Sequence, residues 1–504
     1  MTVTRRNLLK HSIGGLALAT GITTVRAADA PLKDGAWDEE TDVLVVGSGF
    51  AGLMAAYEAR KAGASVIVLE KMATAGGNSI INGGIMGVPG TEIQKRKGIQ
   101  DSPELMAADM MKAGLNMNYP DKVKALCEGA YPAYRILVDE LGVEFSDTIL
   151  KHEGGHSVPR SLYLKNGSGS GIVSKELAAL EKLGVKPRTR TLMQRIILDD
   201  AGAVAGLEVR EGYRFPKANS GRIKTIRARK GVVLAYGGFS ADVKYRSIFD
   251  PKLGENFQTT NQPGATGDAW RTAASAGVQM MQNDWIQCLP YTSPDEKGFG
   301  IAWAWAGHTQ AYGFWIDAAT GERFVNELAD RKIRSDAILL RLNQGHECLS
   351  IGDNRCRELF DVIRPGWMDR ILERKVCMRY ETLEAMAAAH KIPLDALKAT
   401  IAALNESVAT KKDPLGRRVN ADLKPQTEGP WFVTRLSPKI HHCMGGILTT
   451  PRAEAVSVAG EVIPGLYAAG EATGGVHGAV RLGSNAITDC IVNGMIAGRE
   501  VARR

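Results

Sequence analysis

Short, wholly apolar β-branched runs alternate with longer stretches of helical period along the first part of this chain. Residues 43–46 read VLVV, the composition of a buried parallel strand. Residues 51–62 are rich in Ala, Leu and Met and predict a helix stopped by Gly63. Residues 65–69, SVIVL, predict a second strand ending at Glu70. Further helices are predicted over 101–114, 120–142 and 172–183, the first capped by Asp101 or Ser102 with Pro103 in its first turn. Residues 192–198, 204–210 and 225–229 read as a meander, and 231–235 as another buried strand. From Trp285 the composition shifts to Trp, Met and Tyr, then to mainly helical patterns up to about residue 408 and a polar basic loop over 411–424. Strand patterns return near Trp431 and over 446–467. A helix over 486–503 ends the chain. The fold class is α/β.

Between the first strand and helix stand Gly47, Gly49 and Gly52, spaced G-x-G-x-x-G. Gly47 suits a tight turn, Gly49 lets backbone approach a pyrophosphate, and Gly52 lets helix pack on strand. Glu70 follows the third glycine at the interval expected of an acid that hydrogen-bonds ribose hydroxyls. Strand, glycines, helix, strand and acid in this order predict a dinucleotide site, with the helix N-terminus facing the phosphates. Gly76, Gly77, Asn78 and Ser79, then Asn82, Gly83 and Gly84, form a glycine-rich loop that lies against the cofactor. NGSGSG at 166–171 opens straight into a helix, which makes it a loop over a ligand rather than a domain joint. A second glycine-rich block after residue 464 is similar in style to the first. It predicts that the chain ends return to one domain and that the aromatic middle is an insertion.

The chain has 504 residues, enough for more than one domain. No apolar run reaches the ~18 residues of a membrane span. The first 27 residues carry Arg5, Arg6, a weakly apolar segment and Arg26–Ala27, the pattern of a twin-arginine export signal cut after Ala27. That segment holds four basic residues and no acid, so the formal charge falls from +8 to +4 on removal. The expected location is the periplasm, with no stable membrane insertion. No basic stripe with interleaved aromatics points to nucleic acid. Seven scattered cysteines form no disulfide framework, although Cys348 and Cys356 are candidates for a pair. There is no C-x-x-C-H haem motif, and the nine histidines show no metal-ligand spacing.

The segments TNQPGATGD (260–268), RFVNELADR (323–331), HHCMGG (441–446) and PGLYAAGEATGGVHGAVRLGSNAI (464–487) resemble the flavin subunit of soluble periplasmic fumarate reductases, within the fumarate reductase/succinate dehydrogenase flavoprotein family. The resemblance runs from about residue 40 to 503. It implies a Rossmann-like FAD-binding domain in two segments, 28–283 and 443–504, and an inserted α+β capping domain over 284–442. The haem domain of the flavocytochromes is not expected, since the FAD segment follows almost directly on the predicted signal. FAD is expected to be noncovalent, because GGNSIINGG lacks the histidine that carries the flavin in membrane-bound relatives. The expected cofactor contacts are Gly47, Gly49, Gly52, Glu70, Lys71, Gly77, Asn78, Ser79, Gly83, Gly84, Gly237, Asp268, Glu471, Asn485, Ala486 and Ile487. Among these, Glu471 matches the acid on the ribityl chain, and Asn485 and Ile487 fall in the loop beneath the ring.

The same resemblance implies hydride transfer between the flavin and one carbon of an activated C=C, with Arg331 moving a proton at the other carbon. Arginine is a poor acid in water, so the role requires a desolvated site. His441 and Arg481 match the pair that grips the substrate carboxylate; His442 is expected to be structural. Leu289 replaces the histidine that holds a second carboxylate, and Gly307 and Gln310 stand where the family has its proton-relay Glu and Arg. Leu289, His308 and Gly483 are the expected substrate-pocket residues, with Trp303, Trp305, Tyr312 and Trp315 around them, and His308 is the sequence-nearest substitute in the proton path. A second carboxylate without a partner is unfavourable when buried, so the expected substrate is a small unsaturated acid or ketone with an apolar or aromatic far end, a non-fumarate enoate being favoured. Electrons are expected from a separate cytochrome- or quinone-linked protein. A dehydrogenase acting on a ketosteroid-like or acyl substrate is the alternative. A flavoprotein that only relays electrons is a third, disfavoured by retention of Arg331, His441 and Arg481.

Overall fold

The computed structural model describes residues 37–504, so the export-signal expectation at 1–27 lies outside the described residues. A seven-stranded sheet is built on the apolar run read first. Strand Glu39–Val46 pairs in parallel with Val66–Leu69 on one side and with Arg222–Leu234 on the other. Helix Phe50–Lys61 connects the first two, the βαβ unit expected from the glycine pattern. The C-terminal strand Val462–Ala468 adds in parallel on the far side of Arg222–Leu234, so both ends of the chain enter one sheet.

The meander differs from expectation in one respect. Residues 225–229 and 231–235 are not two strands but one, Arg222–Leu234. Its first half pairs antiparallel with Val204–Glu211, and its second half pairs in parallel with the first strand. Lys230–Gly231 looked like a break because no apolar side chain stands there. The strand continues through it with a register shift in its pairing with Glu39–Val46.

The two sequence ends meet most closely through helices. The final helix, Asn485–Arg503, packs along Phe50–Lys61. A Cβ on Gly494 would lie 2.5 Å from the Ala51 carbonyl oxygen, and one on Gly498 2.4 Å from that of Ala55. Small residues four apart on both helices therefore set the crossing distance.

Between these ends lies a five-stranded antiparallel sheet in the order Glu322–Arg323, Phe314–Asp317, Cys348–Gly352, Trp431–Arg435, Met378–Tyr380, with helices around it. The strands FWID and CLSIG fall in the stretch read as helical or as pocket aromatics. Every one of their residues is buried, so they lack the alternation that marks a strand in sequence. Trp305 and Trp315 are fully buried in this core rather than lining a ligand site. All seven cysteines are free, including Cys348 and Cys356. Among the described residues no helix is long and apolar enough to cross a membrane, and no cluster of His, Cys, Asp and Glu is arranged to hold a metal ion.

Because Gly498 sits on the Ala55 carbonyl, Gly498→Val is expected to destabilise the protein by about 1–3 kcal/mol through overpacking. A urea titration of the variant beside the wild type measures this. An unchanged midpoint would mean that the helices separate without penalty.

Candidate functional site

Two adjoining clefts, of about 930 and 890 Å³ counting space open to solvent, share Phe50, Asn78, Ser79, Glu471 and Cys490 in their walls. Together they form one trough that runs from the glycine motif to a wall holding Leu289, Trp303, Arg331 and His441.

The inner cleft holds the nucleotide signature. Gly47, Gly49, Glu70, Lys71, Gly77, Asn78, Ser79 and Gly237 all line it. Gly47 has φ +106°, and a Cβ there would strike the Ala235 carbonyl at 2.3 Å, so only glycine fits. Gly52 lies behind the wall: its missing Cβ makes room for the Gly47 carbonyl oxygen at 2.0 Å. The Glu70 carboxylate accepts from the Ser48 hydroxyl (2.6 Å) and from the Met72 N–H (2.8 Å). Those bonds fix its orientation and leave lone pairs for ribose hydroxyls. Asp268 does not reach the cleft; it pairs with Lys71 at 3.3 Å and orders that side chain.

The outer cleft brings together Arg331, His441 and Arg481, up to 150 residues apart in sequence, onto one wall from three distinct elements. Arg331 opens helix Arg331–Asn343, where the Asp330 carboxylate caps the Ile333 N–H at 3.0 Å. A cation at a helix N-terminus opposes the dipole, a local conflict of the kind tolerated at functional sites. His441 lies on strand Lys439–Cys443, paired antiparallel with Ile286–Leu289, which supplies Gln287 and Leu289. Arg481 lies in the loop before the final helix. That loop is clamped from several sides. His156 Nε2 donates to the Gly483 carbonyl (2.8 Å), the Gly87 N–H donates to the Ser484 carbonyl (3.1 Å), and Gln287 Nε2 donates to the Arg481 carbonyl (3.0 Å). Arg160, buried between Asp101 and Asp109, donates to His156 Nδ1 at 2.9 Å. Burial, reinforced by the Arg160 charge, holds His156 down to about 4 and therefore neutral.

Neither Arg331 nor Arg481 makes an ion pair among the described residues. Arg331 donates to Tyr291 Oη (3.1 Å) and weakly to Gln287 Oε1 (3.4 Å), and Arg481 Nη1 donates to the Leu482 carbonyl (2.9 Å). Arg481 Nε is buried with no partner. Burial and the neighbouring positive charge of Arg331 pull the Arg481 guanidinium down to about 9. Burial, Arg331 and Arg481 hold His441 well below its ordinary value, so it is neutral. Thr260 Oγ1 lies 2.7 Å from His441 Nδ1 and accepts from Asn261 Nδ2 at 3.3 Å. The same hydroxyl donates to the Ile440 carbonyl at 3.3 Å. Two guanidinium groups and one neutral imidazole thus line the outer cleft.

Gly83, Gly84, Glu471, Ala486 and Ile487 line the outer cleft as expected. Burial raises the Glu471 carboxyl to about 7, and it accepts from the Cys443 N–H at 3.0 Å. Asn485 is fully buried behind the wall, with both side-chain polar atoms unpartnered, and Ser484 before it takes φ +67°. The final helix therefore begins at the cleft through a strained turn.

Two expected pocket residues are elsewhere. His308 is 2% exposed in the capping core, with Nε2 on the Cys356 carbonyl (3.0 Å) and its ring among Trp305, Tyr312 and Phe360. It does not reach the cleft and is no part of a proton path there. Gly483 has its α-carbon face against Glu153, not against the cleft. Of the aromatic stretch, only Trp303 lines the wall. It is joined by residues not singled out from the sequence: Tyr291, Phe299 and Glu153. Phe299 stacks on His441 with centroids 5.9 Å apart, and Trp303 lies 5.1 Å from Phe299. His442, expected to be structural, lines the same wall.

The trough fits FAD: a glycine cradle that no Cβ could share, an oriented acid, a helix N-terminus at its outer part, and unpartnered polar atoms at Asn485. A family model described as an FAD binding domain matches residues 42–487. The chain is 38% identical over 502 residues to the acrylate reductase flavoprotein subunit of Shewanella woodyi, covering 98% of this chain and 97% of that protein. It is 34% identical over 465 residues to the urocanate reductase of Eggerthella lenta, covering 92% of this chain and 75% of that one. The open conformation of a flavocytochrome c3 fumarate reductase superposes with a TM-score of 0.72 at 31% identity, covering 95% of this chain and 82% of that one. The chain therefore belongs to the FAD-binding flavoprotein family of the fumarate reductases and is an FAD-dependent oxidoreductase acting on CH–CH groups.

Proposed function

We propose that this protein is an exported reductase of a monocarboxylic enoate whose far end is apolar or aromatic. The observation that carries this reading is the composition of the outer cleft. Its only lining cations among the described residues are Arg331 and Arg481, while Leu289, Phe299 and Trp303 line the same wall. Glu153 adds a carboxylate to the same wall, which repels a second substrate carboxylate. Arg481 and His441 hold the one carboxylate, and that polarises the conjugated C=C. FAD, when bound and reduced, supplies the hydride. Arg331 supplies the proton at the neighbouring carbon, and its burial keeps competing water away.

In this reading residues 28–283 and 443–504 hold FAD noncovalently, residues 284–442 cap the site, and residues 1–27 direct export by the twin-arginine route to the periplasm. Electrons come from a separate cytochrome- or quinone-linked protein. The second reading is dehydrogenation of a ketosteroid-like or acyl substrate in the reverse direction. It draws on the same apolar wall and is separated by assaying each direction with artificial donors and acceptors.

Three outcomes test the proposal. Acid precipitation should release FAD into the supernatant; flavin retained on the pellet would contradict noncovalent binding. Fumarate should reoxidise the reduced protein more slowly than an aryl or alkyl acrylate, and the reverse order would refute the cleft argument. Arg331→Lys should lower kcat by about 100-fold or more with little change in KM, since a point charge replaces a placed fork. Arg481→Ala should instead weaken substrate binding as well, by about 2–5 kcal/mol. Steady-state kinetics of the two variants on one enoate reads both, and matching profiles would mean that the two roles are not distinct.

A further inference from the structure

We propose that Tyr291 is the positioning and relay residue through which Arg331 regains its proton, an inference that rests on the enoate-reductase reading above. Arg331 Nη2 donates to the Tyr291 phenol at 3.1 Å. No carboxylate or imidazole is hydrogen-bonded to Arg331 among the described residues. Its remaining contact, Gln287, has no acidic proton to give. Tyr291 lines the same cleft as Arg331, so its phenol stands both on the guanidinium and on the cleft wall.

Two guanidinium groups lie beside the ring. The Arg331 Cζ lies 5.8 Å from the ring centroid and the Arg334 Cζ 5.6 Å from it. Arg334 is 2% exposed. Its contacts are neutral: Gln310 Oε1, the Glu327 carbonyl at 3.1 Å and the Asp330 carbonyl at 3.3 Å. An unneutralised cation is thus held beside the phenol by groups that cannot discharge it. The ring also fills a space made for it. A Cβ on Gly307, on the buried helix Ala302–Tyr312, would lie 3.3 Å from Tyr291 Cδ2, so any longer side chain there would displace the ring.

The step balances as follows. An N–H bond of Arg331 breaks and its proton forms the new C–H bond with the electron pair of the substrate carbanion. The neutral guanidine then takes the phenolic proton, so an O–H bond breaks and an N–H bond forms. The phenolate, between two guanidinium groups, takes a proton from solvent through the cleft. Glu153 and Glu471 are the acids on this wall, but neither makes a hydrogen bond to Arg331 or Tyr291; Glu471 accepts from the Cys443 N–H, and His441 Nδ1 is engaged by Thr260.

The test uses FAD-loaded protein, a reduced viologen donor, and acrylate, crotonate and cinnamate. Tyr291→Phe should lower kcat about 100-fold while KM moves less than about threefold, with FAD content unchanged and a larger solvent deuterium isotope effect on kcat. Tyr291→Ala should be partly rescued by added phenol and not by benzene, a response that a purely structural role would not show. Wild-type kcat in Tyr291→Phe would overturn the relay. So would a loss without phenol rescue or a change in isotope effect, or a loss found in Glu153→Gln instead. If the wild type itself reduces none of the three enoates, the substrate reading falls and the relay with it. An active wild type with an unaffected Tyr291→Phe removes the relay alone.

Discussion

Two buried guanidinium groups facing one cleft without a carboxylate between them are the constraint on which the rest of this site depends. Removing such ions from water is unfavourable by several kcal/mol each, and their mutual repulsion adds to it. The protein offsets this with neutral acceptors: Tyr291 and Gln287 for Arg331, and a backbone carbonyl for Arg481. These orient the cations without neutralising them. The unspent attraction is then available to a substrate carboxylate and to negative charge that develops on the reacting carbon. A structural ion pair such as Arg323–Glu327, which is fully satisfied within the capping segment, has nothing left to offer a ligand.

Holding the two cations requires rigid support, because nothing in their own contacts opposes separation. Gln287 spans them, accepting from Arg331 and donating to the Arg481 backbone. The Arg481 loop is held by His156, which is itself fixed by Arg160 and its two buried carboxylates. The final helix begins at that loop and is locked against the first helix by glycine and alanine contacts. The nucleotide motif, the carboxylate grip and the chain's two ends thus belong to one packed unit. Arg331 comes from the inserted segment. A site assembled this way is complete only when both parts are in register.

Much of this was legible in the sequence, and for identifiable reasons. The G-x-G-x-x-G at Gly47–Gly52, the acid at Glu70 and the apolar runs on either side are local signals: backbone geometry, helix dipole and strand burial act within a few residues of one another. The trio Arg331, His441 and Arg481 was legible through the segments that contain them, and the structure brings all three to one cleft. Leu289 stood out as a departure and lies on the wall.

What only the tertiary structure decided are contacts between residues far apart in sequence. His308 and Trp303 lie five residues apart on one helix, yet one is sealed in the capping core and the other faces the cleft, because the helix is apolar all round and its pattern does not say which face is inward. The strands FWID and CLSIG were invisible because both their faces are buried and period-2 alternation is lost. Tyr291 and Glu153 carry no motif of their own. Tyr291 matters because its phenol meets Arg331, forty residues on, and its ring fills the space above Gly307. Spacing and residue type pointed to a dinucleotide site, which depends on local backbone geometry, and the flavin and its chemistry were legible through the family resemblance of four segments. Which side chains surround the substrate was settled by packing across the inserted segment, where no local rule applies.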